Sequence, residues 1–133
     1  MKEFTLRLQS AGQSEQIDGV ASFVGEDDSG SFGILPGHAR MITVLTYGLA
    51  RFRVAQEPWV YIALPGGVLY FVRNELRIST RRYFKDSDYH RISGVLLDRL
   101  LGEEEEIRTT RMSLNRLEQE MFRRLRDMAL GAA

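Results

Sequence analysis

His38 is the only loop residue of this 133-residue chain able to do acid–base work near neutral pH. A catalytic histidine needs a base, a nucleophile or an oxyanion site beside it, and no recognisable set accompanies this one. A turn residue bonding to nearby backbone explains it equally well. His90, the only other histidine, falls near a predicted helix start, so a zinc site is not expected. Asp27 and Asp28 precede a glycine-rich turn, but their spacing does not match a calcium loop. Gly30-Ser31-Phe32-Gly33 lacks the Gly-Lys-Ser/Thr ending of a phosphate loop. Cysteine is absent, which excludes disulfides and thiolate metal sites. The chain is therefore expected to be non-catalytic and to hold no metal.

These residues surround one segment, Gly30-Ser31-Phe32-Gly33-Ile34-Leu35-Pro36-Gly37-His38-Ala39, set between two apolar-alternating runs. Gly33 and Gly37 can take backbone angles closed to other residues, while Pro36 fixes φ and removes a donor. The segment reads as a shaped surface loop, and such loops often carry recognition.

The elements that would position it are β-strands. Phe4, Leu6 and Leu8 alternate with Thr5 and Arg7, and Val20–Val24 is a second such run. Met41–Leu45, Leu49–Val54, Trp59–Leu64, Val68–Val72 and Leu76–Thr80 follow, with Pro65-Gly66-Gly67 predicting a hairpin. Many short strands with regular turn signals predict an antiparallel β-sandwich or flattened barrel over residues 1–84. From Lys85 the pattern changes. Asp86-Ser87 offers an N-cap and Asp88 a first-turn charge. Ile92, Val95, Leu96, Leu97 and Leu100 follow helical spacing to Gly102, a C-cap or hinge. Ile107, Leu114, Leu117, Met121, Leu125 and Met128 form the stripe of a second helix. The helices would run about 15 and about 27 residues, roughly 22 and 40 Å. Residues 85–133 are thus expected to form a two-helix antiparallel hairpin, marginally held and movable.

Composition narrows the partners. The 18 basic and 18 acidic residues cancel, so global attraction to nucleic acid or anionic lipid is not indicated. No apolar stretch is long enough to span a bilayer. Met1-Lys2-Glu3-Phe4 leads straight into a strand without a targeting segment, which predicts an intracellular protein whose membrane association runs through a partner.

The Gly30–Ala39 segment closely resembles the G-x-x-G-I-[LY]-P-G-H-A loop of the epsilon subunits of F-type ATP synthases. The β-rich stretch around it and the helical C-terminus extend the resemblance. It implies a rotor subunit in the central stalk, at the cytoplasmic face of the bacterial inner membrane, that couples the gamma subunit to the ring of c subunits. By that resemblance Ser31, Phe32 and Gly33 would meet the c ring. Ile34, Leu35, Pro36, Gly37, His38, Arg40 and Ile42 would lie at the gamma subunit. Phe32 would serve as an exposed apolar anchor, with core packing as its alternative. Arg40 departs from the family, where many members have proline. The C-terminal helices would restrain ATP hydrolysis through Arg108, Arg111, Arg116, Arg123 and Arg124 against the alpha and beta subunits. The alternative is a solvated charged face.

Some bacterial members bind ATP as a regulatory ligand through an Ile/Leu-Asp-x-x-Arg-Ala motif. Asp88 and Arg91 keep its Asp–Arg spacing, with Arg116 and Arg123 as further candidates, but Ser87 and Ile92 replace the flanking residues. The run Glu103–Leu125 is similar to a divergent group in alternate, sodium-type bacterial ATPases. Two other readings stand beside the resemblance: a free-standing β-sandwich module for an unrelated partner, and nucleic-acid binding through the arginine helix. The latter lacks stacking aromatics, Phe122 being the only one on that helix.

Overall fold

The computed structural model describes residues 2–131, with side chains as far as Ala129. Alternation of apolar and polar residues builds the strands β1 (Phe4–Gln9), β2 (Ser14–Asp27), β3 (Gly30–Ile34), β4 (Met41–Leu45), β5 (Gly48–Val54), β6 (Val60–Leu64), β7 (Gly67–Val72), β8 (Glu75–Ser79) and β9 (Phe84–Asp86). They form one continuous sheet in the order β1-β8-β7-β4-β2-β5-β6-β9, with β3 on β2 and β1 also on β2. The sheet folds over a core that includes Phe4, Leu6, Phe23, Ile34, Phe52, Ile62, Phe71 and Leu76. This is the expected β-sandwich, with one departure: β1 and β8 run parallel, while the other pairs are antiparallel.

The long strand β2 makes the fold possible. Its first half pairs with β1, and its second half pairs with β5 and β3. The β1 register shifts opposite Ile17 and Val20, and there Gly19 takes a φ of 73°. A glycine at such a bulge lets the strand twist from one layer into the other.

Two turns deserve contrast. Arg73 and Asn74, both at positive φ (51° and 60°), form the two-residue link between β7 and β8. That geometry matches the right-handed twist of a hairpin. The Pro65-Gly66-Gly67 segment is not the hairpin expected. β6 pairs with β5 and β9, whereas β7 pairs with β4 and β8. Proline and glycine mark the change of direction, and here the direction leads across to another part of the sheet.

Beyond the strands the helical reading is corrected in detail. Lys85 lies in β9, which pairs with β6. The helix α1 (Tyr89–Val95) begins later, with Asp88 itself as N-cap: its carboxylate accepts from the Arg91 N–H at 3.1 Å. A π-helical turn follows at Leu96–Leu100, then α2 (Leu101–Gly131). Gly102, expected to end the first helix, sits inside α2, so the turn of a hairpin is not formed there. The helix-favouring run Glu103–Glu106, suited to a helix N-terminus, outweighs the cost of one glycine, about 1 kcal/mol.

Two compact units divide between Leu100 and Leu101. In the first, Ile92 and Leu100 are buried with Ala63, beside Leu49, Tyr61 and Leu96, in a second small core on the outer side of β6. The Tyr47 hydroxyl donates to the Leu96 carbonyl at 2.6 Å, satisfying one backbone group at the π turn. The second unit, α2, presents Leu114, Leu117, Met121, Leu125 and Met128 as exposed residues, as it does Met112 and Phe122.

Candidate functional site

The segment singled out in the sequence is half strand and half loop. Gly30–Ile34 is β3, paired to β2 with Gly25 opposite Phe32 and Val24 opposite Gly33. Strand alternation then sorts its residues. Ser31 and Gly33 are exposed, Phe32 is half-buried and Ile34 is fully enclosed. The expectation of Phe32 as an exposed anchor is therefore corrected. Its ring packs on the core near Phe23, with centroids 6.4 Å apart. A Cβ on Gly25 would lie 3.1 Å from that ring, so the glycine leaves the space the phenyl occupies. Ile34 likewise cannot present its side chain to a partner. Gly33 takes no positive φ and is an ordinary strand position.

The loop proper is short. The His38 N–H donates to the Leu35 carbonyl at 3.1 Å, and Gly37 has a φ of 79°. Proline followed by glycine at the two central positions is the signature of a type II turn, which only glycine fits comfortably at the second place. Leu35 stands 61% exposed at its start. The His38 Nδ1 lies 2.7 Å from the Ala39 carbonyl, and its ring meets the edge of Phe71 at 5.9 Å. The histidine is thus held as a turn residue. The tie that sequence reasoning missed is Asn74. Its side-chain oxygen accepts from the Gly37 N–H at 2.9 Å and its amide donates to the Glu3 carbonyl at 2.7 Å. No local signal marks this contact, because it joins segments 37 residues apart.

The loop runs into β4, whose sequence is apolar on both faces. Leu45 points into the core, whereas Ile42 and Val44 are 70% and 66% exposed. Across the ladder Val44 faces exposed Val68, and Ile42 faces Tyr70. The Arg40 guanidinium lies 5.7 Å from the Tyr70 ring. The result is an outward apolar patch on two rigid strands, rimmed by a cation. Such a surface suits protein binding.

Charged groups brace this framework. The Asp27 carboxylate accepts from the Ser29 hydroxyl and N–H and from the Thr43 hydroxyl at 2.7 Å, tying the β2–β3 turn to β4. Those bonds, Ser29 first and Thr43 next, hold its pKa below the usual value. Asp86 is drawn down to about 2, chiefly by its bidentate pairing with Arg91 and then by the Asp88 N–H. Both folded-state values are depressed, so the stability they contribute is present above the unfolded carboxylate value of about 3.9. It is lost as pH falls below that value. We expect stability in urea to decline from about pH 5 downward, and Asp27→Asn and Asp86→Asn to flatten that decline. Equal slopes in wild type and variants would contradict this.

The nucleotide candidates are placed accordingly. Asp88 is engaged as a helix cap and Arg91 is paired with Asp86. Arg108, Arg111, Arg116, Arg123 and Arg124 lie exposed on α2, Arg123 lying 3.6 Å from Glu120. Among the described residues no group of three His, Asp or Glu is arranged to hold a metal ion.

Residues 3–85 match the family model described as ATP synthase, Delta/Epsilon chain, beta-sandwich domain. The chain is 50% identical over 52 residues to a protein named ATP synthase epsilon chain 2 from Cereibacter sphaeroides, covering 39% of this chain and 36% of that one. It is 38% identical over 61 residues to a chloroplastic ATP synthase epsilon chain from Pelargonium hortorum, covering 46% of each. The matched part thus spans less than half the length of these two relatives. A protein named ATP synthase epsilon chain 2 from Paraburkholderia xenovorans is 35% identical over 111 residues, covering 80% of this chain and 72% of that one. A chain in the cryo-EM structure of Euglena gracilis mitochondrial ATP synthase superposes with a TM-score of 0.60 at 17% identity, covering 71% of this chain and 62% of that chain. At that identity the likeness is one of fold.

Proposed function

This chain belongs to the ATP synthase Delta/Epsilon chain family, and from that premise we propose that it is a non-catalytic rotor subunit of an F-type ATPase. The observation that carries the reading is the outward apolar patch of Ile42, Val44 and Val68 beside the Leu35–Arg40 turn. A partner that covers it gains apolar burial of about 25 cal/mol per Å² on strands that need no reordering.

We assign that face, with Leu35–His38 and Arg40, to the gamma subunit. The exposed backbone and hydroxyl of Ser31 and Gly33, at the β2–β3 end, are assigned to the c ring. The chain then transmits gamma rotation to the ring by being rigid, not by reacting. Its helices restrain ATP hydrolysis, with the arginines of α2 meeting acidic segments of the alpha and beta subunits. No helix among the described residues is long and apolar enough to cross a membrane, and we assign membrane attachment to the other subunits of the complex. We place it peripherally at the cytoplasmic face of a bacterial inner membrane.

Affinity capture of the tagged chain from its native membranes tests this directly. Alpha, beta, gamma and c subunits should be recovered together. Their absence from a capture made on membranes that contain the ATPase would leave the fold without this role.

A further inference from the structure

We infer that Asn74 is the positioning residue of the Leu35–Arg40 turn, fixing its shape for partner binding from the neighbouring β7–β8 turn. The inference rests on the rotor reading for the identity of the partner, but the clamp itself is a property of this chain alone.

Asn74 sits where three segments meet. Its φ of 60° belongs to the β7–β8 hairpin turn, in the left-handed region that asparagine tolerates better than most residues. Its carbonyl accepts from the Thr5 N–H at 3.4 Å, joining β1. Its side-chain amide donates to the Glu3 carbonyl at 2.7 Å, just ahead of β1. Its side-chain oxygen accepts the Gly37 N–H at 2.9 Å. One residue thereby serves the N-terminal strand, its own hairpin and the recognition turn.

Gly37 is the most permissive residue of that turn, free in principle to take either sign of φ. The Leu35–His38 bond closes the turn, and the Asn74 bond fixes how the closed turn sits on the barrel edge. Loss of the side chain would leave the turn formed but free to swing, carrying exposed Leu35 and half-buried Pro36 away from the β4 patch. A partner binding across both would then bear the ordering cost of the turn.

Two variants separate placement from stability. Asn74→Gly keeps the left-handed backbone and removes both side-chain bonds. Asn74→Asp keeps an oxygen acceptor for Gly37, removes the donor to Glu3 and sets a carboxylate oxygen against the Glu3 carbonyl, from which it must turn toward solvent. In the full-length chain, Asn74→Gly should speed hydrogen exchange at the Gly37 amide about tenfold, with a Tm loss under about 5 °C. It should weaken binding to ATPase stripped of this subunit about tenfold. Asn74→Asp should keep Gly37 protected and bind within about twofold of wild type.

Unchanged Gly37 exchange in Asn74→Gly would overturn the clamp. Faster exchange with unchanged affinity would overturn its part in binding, as would equal losses in both variants. A wild-type chain that fails to bind overturns the rotor reading instead, and Gly37 exchange still decides the clamp.

Discussion

Phe71→Ala is expected to destabilise the sandwich by about 3–5 kcal/mol, the usual cost of emptying a buried aromatic site. Phe71 is fully buried in β7, with its ring edge-on to Phe4 at 5.6 Å and to His38 at 5.9 Å. It joins the centre of the core to the base of the Leu35–Arg40 turn. Domain stabilities are about 5–15 kcal/mol, so this single change removes about a fifth of the margin or more. Neighbouring side chains are held by strands on both sides of β7, which limits collapse into the cavity. Trp59, the only tryptophan, lies in the same unit and reports its urea unfolding. A loss under about 1 kcal/mol would mean that the core relaxes around the cavity, against the packing described here.

The second large effect is on association. Val44→Asp should weaken attachment to the ATPase about a hundredfold, or about 3 kcal/mol, while costing the isolated chain no more than about 1 kcal/mol. Val44 is 66% exposed and paired with Val68, so a carboxylate there meets water in the free chain. In the assembled complex it would have to be desolvated against apolar surface without a partner charge. Arg40 lies at the rim, with its guanidinium 5.7 Å from the Tyr70 ring. Val44→Thr is the control, keeping shape and strand propensity with a smaller polar penalty. Binding assays on ATPase depleted of the subunit, alongside melting of the free chain, separate the two terms. Equal affinity of Val44→Asp and wild type would remove this face from the interface.

The contrast between these two valine and phenylalanine positions shows what the sequence makes legible. Phe4, Leu6 and Leu8 alternate cleanly with polar neighbours, and their strand lies where that pattern puts it. β4 reads Met-Ile-Thr-Val-Leu, apolar on both faces, so alternation cannot tell its inward side from a binding side. The burial of Leu45 and the exposure of Ile42 and Val44 emerge only from packing. In β3 the glycines at 30 and 33 hide the alternation, and a strand passed for a loop. Pro65-Gly66 announced a turn but not its destination, since turn chemistry is the same for a hairpin and a crossover. Gly102 reads as a C-cap or hinge because glycine is common at helix ends, whereas the glutamates after it keep the helix going. Asn74 carried no signal at all. Its partners at positions 3 and 37 are chosen by tertiary structure, and asparagine in a turn needs no further reason.

The resemblance in the Pro-Gly-His turn pointed to this segment, and the structure sorts its side chains by burial. Ile34 and Phe32 pack on the core, while Leu35, Ile42 and Val44 are exposed.

The most direct test uses the absence of cysteine from this chain, which makes Val44→Cys a unique thiol. In the free chain that thiol should react rapidly with a maleimide. In the purified ATPase holding the chain at native stoichiometry it should be protected, and a short bifunctional cross-linker placed on it before assembly should join the chain to the gamma subunit. A thiol equally reactive in the free chain and in the complex, with no cross-link to gamma, would contradict the account.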